Sequence, residues 1–223
     1  MRAFLGLFAL AVLLGVGPAD PPKRLNVLFL MSDDMRPDLG CYGHPLAHSP
    51  NIDALARAGV RFDRAYCQYP LCNPSRSSLL TGRHPTTTGV LDNVAYFRDA
   101  HPDWVTLPEH FKANGYVTLR TGKIFHGGID DAASWTEGAD FPGDPAAAKA
   151  KRQAKKADPR TRKAQSDRIV VLDGDGESHG DYKTADRAIA FLRAHKDRPF
   201  FLACGFTKPH SPPTAPRKHF DLY

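Results

Sequence analysis

Apolar positions come in short blocks along this chain, and the spacing within each block predicts a strand or a helix. Leu25 to Met31 is a continuous apolar run bounded by Lys23-Arg24 and Ser32-Asp33-Asp34, which predicts a buried parallel strand. Asn51 to Ala58 follows Ser49-Pro50, sets Ile52, Leu55 and Ala56 on one face and stops at Gly59. That pattern predicts a helix. Val60 to Tyr66 alternates as a strand does, with Val60, Phe62 and Ala65 to bury. Thr106 to Asn114 opens on a capping residue, carries Pro108 early and ends at Gly115, a second helix. Tyr116 to Thr121 returns as a strand, Tyr182 to His195 is an amphipathic helix with Ala185, Ile189 and Leu192 on one face, and Pro199 to Phe206 is a further strand. No internal repeat is present. Strands alternating with helices predict an α/β fold, a mostly parallel sheet flanked by helices.

The length of 223 residues suits one large domain or a part of something longer. With 42% hydrophobic and 24% charged residues the chain can build a sizeable core. Met1-Arg2 followed by an apolar run from Ala3 to Val16, with small residues at Gly17 and Ala19, reads as a secretory signal peptide over residues 1–19. An uncleaved anchor is the alternative, and either places the remainder outside the cytoplasm, secreted or periplasmic, with no stable membrane insertion expected of the mature chain. That compartment permits disulfides. Cys41, Cys67 and Cys204 accompany Cys72, and three cysteines cannot all pair, so at least one is expected to be a buried thiol.

A net charge of +6 would suit a nucleic-acid partner if it were spread over a surface. It is not. Nine Lys/Arg against Asp158 and Asp167 between Lys149 and Arg168 carry +7, which leaves the rest of the chain at −1. No nucleic-acid partner is therefore expected. This Ala/Lys-rich tract, at about 142–168, lacks apolar periodicity and reads as a solvated insertion. Capture of a polyanionic substrate is the functional alternative.

Candidate chemistry gathers at predicted strand ends, where ligands of open α/β sheets bind. Asp33 and Asp34 follow the first strand. Adjacent carboxylates repel unless a cation or hydrogen bonds offset them, and a hard divalent ion such as Ca²⁺ would do so. A solvated strand-end turn is the alternative. Pro74 suits a helix start, with Ser75 to Leu80 continuing it, so an anion near Cys72 would meet free backbone N–H groups and the Arg76 guanidinium. Lys123 stands at a strand end and can neutralise anionic oxygens, while His126 can move a proton near neutral pH. His210 follows the last predicted strand.

Cys72-Asn73-Pro74-Ser75-Arg76, with Thr81-Gly82-Arg83 behind it, resembles the signature of type I sulfatases. Gly115-Tyr116-Val117-Thr118, continued by Gly122-Lys123, is similar to the second signature of that family. Lys123-Ile124-Phe125-His126, Gly40-Cys41-Tyr42-Gly43, Ser49-Pro50-Asn51-Ile52-Asp53 and Lys208-Pro209-His210 resemble the iduronate-2-sulfatase branch more than the arylsulfatase one.

The resemblance implies the alkaline-phosphatase-like fold and hydrolysis of a sulfate ester, with a carbohydrate sulfate as the expected substrate. It implies conversion of Cys72 to formylglycine by a maturating enzyme, and a divalent cation, Ca²⁺, held by Asp33, Asp34 and residue 72. Formylglycine hydrate would attack sulfur, with Arg76 and the cation stabilising the oxyanion. Lys123 and His210 would hold the sulfate and help the alcohol leave, and His126 would help expel sulfate. Phosphodiester or phosphonate-ester hydrolysis by the same residues is the sister reaction, and a non-catalytic remnant the remaining alternative. The resemblance runs over residues 25–223 and lacks the family's second half, so the chain reads as the N-terminal part of the catalytic domain, incomplete at its C-terminus.

Overall fold

A computed structural model describes residues 24–138 and 168–223. The expected signal peptide, 1–19, and all but the last residue of the basic insertion lie outside the described residues.

Three parallel strands form the centre: β1 (Val27–Asp33), β2 (Val117–Gly122) and β4 (Phe200–Pro209), in the order β1-β4-β2. The expected parallel α/β architecture is present. Between β1 and β2 run α1 (Pro50–Ala58), α2 (Cys72–Thr81), α3 (Pro85–Thr88), α4 (Phe97–Ala100) and α5 (Leu107–Ala113). A short parallel pair, β3 (Val170–Leu172) with β5 (Thr214–Pro216), brackets α6 (Gly180–His195) and β4, and α7 (Arg217–Phe220) follows. The sequence pattern did not predict that pair.

Two apolar clusters sandwich the sheet. On one side Leu80, Val90, Phe97, Ile124, Phe125, Trp135, Phe201 and Ala203 pack together, joined by Phe29 and Met31 of β1 and Phe111 of α5. On the other, Leu119, Phe200, Leu202 and Cys204 meet Ala188 and Phe191 of α6. Alternation across β4 therefore feeds both layers, as a central strand requires.

Three expectations needed correction. The buried face of α6 is Thr184, Ala188, Phe191 and His195; of the expected stripe Ile189 is exposed, while Ala185 is half-buried and Leu192 is half-buried against the same cluster. That face is polar at both ends, with His195 paired with Glu137 at 3.3 Å, so apolarity alone misplaced the stripe. Val60 to Tyr66 forms no strand. Val60, Phe62 and Tyr66 are exposed, and the segment is tied to its surroundings instead by Arg61 donating to the Cys41 carbonyl and by Tyr42 Oη donating to the Phe62 carbonyl. Alternation specifies a strand only where a partner edge exists, and no described strand pairs with it. Finally, β1 is buried on one face only: Leu28 and Leu30 are about half exposed while Phe29 and Met31 pack inward.

Local signals elsewhere held. Thr106 and Glu109 form a reciprocal capping box at the start of α5, with Pro108 in its first turn. Gly205 of β4 lies so close to β2 that a Cβ there would overlap the Lys123 carbonyl, whose own N–H donates to Gly205 at 2.8 Å. That close approach fixes where Lys123 leaves the sheet.

Candidate active site

The carboxyl ends of β1, β2 and β4 converge on the first turn of α2. Asp33 ends β1 and is 4% exposed. Its Oδ1 accepts from Arg76 Nη2 at 3.0 Å and its Oδ2 from Lys123 Nζ. Cys72, the first residue of α2, places Sγ 3.5 Å from Asp33 Oδ1 and 3.8 Å from Lys123 Nζ. One carboxylate, two cations and the Cys72 sulfur thus share a small volume.

These neighbours set the titration of the centre. Burial raises the Asp33 pKa, but the hydrogen bonds and charges of Lys123 and Arg76 outweigh it and hold the group below its ordinary 3.8. The Cys72 thiol is pushed above its ordinary 9.0, chiefly by burial, opposed by the Lys123 charge and reinforced by Asp33 and Asp34. Unconverted Cys72 is therefore a protonated thiol at neutral pH, a poor nucleophile.

Asp34 turns the other way. It adopts φ 59°, the left-handed region that aspartate tolerates better than most residues, and its carboxylate reaches solvent. His210 Nε2 lies 3.6 Å from Asp34 Oδ2, and the His210 Nδ1–H donates to the Ser211 carbonyl at 2.8 Å. Nε2 is thus the nitrogen aimed at the site. Donor atoms of Asp33, Cys72 and His210 lie within 4.8 Å of one another. His126 stands half-buried three residues beyond Lys123, on the segment that leaves β2, and is not one of that group.

Two expected features take a different form. The helix begins at Cys72 and not at Pro74, and its first N–H groups do not await an anion: Asn73 donates its backbone N–H to Asn93 Oδ1 at 3.0 Å, and Pro74 has none to give. Arg76 is buried and spent on Asp33 and on the carbonyls of Lys123 and Ile124. Positive charge beside residue 72 comes from Lys123.

Sequence reasoning missed Asn73 and Asn93. The buried Asn73 side chain also donates to the carbonyls of Asp92 and Ala95, locking the helix start to the 92–95 loop. A lone asparagine in a helical first turn carried no signal of that contact.

Asp33 and Asp34 offer the hard carboxylate oxygens that a divalent cation takes, and oxygen in place of sulfur at residue 72 would extend the same donor set. The ligand atoms that the fold brings together are those of Asp33, Cys72 and His210, with Asp34 outside that group, so they could serve as one part of a divalent cation's coordination shell.

A sulfatase family model matches residues 25–222. The chain is 37% identical over 230 residues to the iduronate 2-sulfatase of Mus musculus, covering 98% of this chain and 41% of that protein. It is 39% identical over 207 residues to the iduronate 2-sulfatase of Homo sapiens, covering 89% and 38%. Among solved structures, BT4656 in complex with its substrate D-glucosamine-2-N,6-O-disulfate aligns with a TM-score of 0.62 at 27% identity, over 84% of this chain and 35% of that one. The phosphonate monoester hydrolase of Agrobacterium radiobacter shares the fold, with a TM-score of 0.65 at 22% identity, over 90% and 44%. The chain spans about two-fifths of the length of these two curated relatives.

Proposed function

The chain belongs to the sulfatase family, and from that premise we propose that it carries the nucleophile-bearing part of a hydrolase that cleaves a sulfate ester of a carbohydrate. The observation that carries the reading is the meeting of Cys72, Lys123 and Asp33 at the sheet's carboxyl end, in the first turn of α2. Its likeness to iduronate 2-sulfatases supports a uronate 2-sulfate as substrate. An N-terminal signal, export to an extracytoplasmic space and conversion of Cys72 to formylglycine by a maturating enzyme belong to the same proposal. No helix among the described residues is long and apolar enough to cross a membrane.

Residue 72, once formylglycine, supplies as its hydrate the hydroxyl that attacks sulfur. A divalent cation held by Asp33, Asp34 and residue 72 would supply further positive charge where the sulfate oxygens sit. Lys123, 3.8 Å from the Cys72 sulfur, holds a sulfate oxygen and neutralises charge as the S–O bond breaks. Arg76 keeps Asp33 ionised and in place. His210, with Nε2 facing the cluster, delivers a proton to the departing alcohol. His126 takes the proton from the second hydroxyl so that sulfate can leave.

Turnover of an aryl sulfate against an aryl phosphodiester, with purified protein from its own host, tests the reading. Preference for the sulfate is expected. Preference for the phosphodiester would overturn it in favour of the sister reaction, and turnover of neither would favour the non-catalytic alternative.

A further inference from the structure

The β1–β4 register runs evenly from Val27↔Phe201 to Ser32↔Phe206 and then jumps, because Asp33 pairs with Pro209. Thr207 and Lys208 are thereby squeezed out of the ladder. A bulge of this kind re-aims the chain beyond it, at the cost of leaving backbone donors without a strand partner. One side chain takes both. Asp181, in the first turn of α6, accepts from Thr207 N at 2.8 Å and 3.0 Å, from Thr207 Oγ1 at 2.8 Å and from Lys208 N at 2.8 Å. Ser32 Oγ secures the other side by donating to the Lys208 carbonyl at 2.7 Å.

The helix start that carries Asp181 is itself fixed. Asp181 N donates to His179 Nδ1 at 3.1 Å, and the carboxylate sits at the positive end of a sixteen-residue helix. Immediately beyond the clamp, Lys208 Nζ folds back onto the carbonyls of His210 and Pro212 at 2.9 Å and 2.8 Å. His210 then emerges with Nε2 toward Asp34 and the Asp33–Cys72 cluster.

We infer that Asp181 is a positioning residue for His210: its carboxylate replaces β1 as the partner of the bulge and so fixes the imidazole over the site. The inference rests on the sulfatase reading for the role of His210. Both Asp181 carboxylate oxygens are taken up by Thr207 and Lys208, so the residue acts through the bulge. Asn in its place keeps the shape but loses an acceptor, turning an NH₂ toward backbone donors.

The test compares wild type, Asp181→Asn, His210→Asn and the double variant on sulfate esters whose alcohols range from acidic phenols to a sugar. Proton delivery matters most for the poorest leaving group. Asp181→Asn is therefore expected to lower kcat on the sugar ester by about 100-fold, within the range general acids contribute, with little change on the most acidic phenol and an unchanged KM. The double variant should be no worse than His210→Asn. A uniform loss across the series, or additive losses in the double variant, would overturn the inference. Should Asp181→Asn not fold, Ser32→Ala loosens the same bulge from its other side and must show the same leaving-group dependence. If wild type turns over no sulfate ester, the sulfatase reading falls, and amide exchange judges the clamp alone: faster exchange at Thr207 and Lys208 in Asp181→Asn supports it, and unchanged exchange overturns it.

Discussion

Arg76 and Asp33 form an ion pair at 3.0 Å in which each side chain is only 5% exposed. The last residue of β1 is thus tied to the second turn of α2, and the same guanidinium reaches the backbone of the segment leaving β2. The arrangement makes Arg76 a support for the site before it is anything else. Burial would penalise either charge alone, and each is tolerated because the other is there.

Removing one partner of that pair should therefore be costly. Arg76→Met leaves Asp33 with Lys123 as its one paired cation and two carbonyls without their Arg76 donor. The expected loss is about 3 kcal/mol of unfolding free energy, read by urea denaturation. A loss below about 0.5 kcal/mol, the scale of an ordinary surface substitution, would show that the pair does not hold the elements together.

Acid should act through Asp33. Because its folded pKa lies below the ordinary 3.8, the unfolded chain binds the proton more readily. The stabilisation is complete above the unfolded value and is lost as pH falls through the folded one. In protein freed of divalent cations, unfolding free energy should fall below about pH 4, and Asp33→Asn, less stable at neutral pH, should show a shallower acid slope. An equal slope in both proteins would place the acid sensitivity elsewhere.

All four cysteines are free thiols in this structure. Cys67 is exposed, Cys72 half-buried with its pKa raised, and Cys204 buried with its thiol pushed up to about 11. Timed alkylation of the unconverted chain at neutral pH should label Cys67 first and leave Cys204 unlabelled until the protein unfolds. Early labelling of Cys204 would contradict the packing of β4 against α6.

The elements most readable from sequence were those with their own local marks. Gly59 ends a helix, Thr106 and Pro108 open one, and the runs at β1, β2 and β4 lie within a few residues of their expected places. Cys72, Asp33, Lys123 and His210 were legible as candidates because they stand in motifs at strand and helix ends. What the sequence hid depends on partners far along the chain. Asp181 meets Thr207 across 26 positions and Asn73 meets Ala95 across 22, and neither spacing marks the residue. Val60 to Tyr66 misled for the same reason, since alternation records a preference and the strand needs an edge to pair with.

The most direct test of the central claim is the mass of the proteolytic peptide carrying residue 72, from protein purified from its own host, paired with aryl sulfate turnover by the same sample and by a Cys72→Ala variant. Formylglycine at residue 72, with turnover that the substitution abolishes, is the predicted result. Turnover that survives Cys72→Ala, or that accompanies a wholly unmodified cysteine, would contradict it.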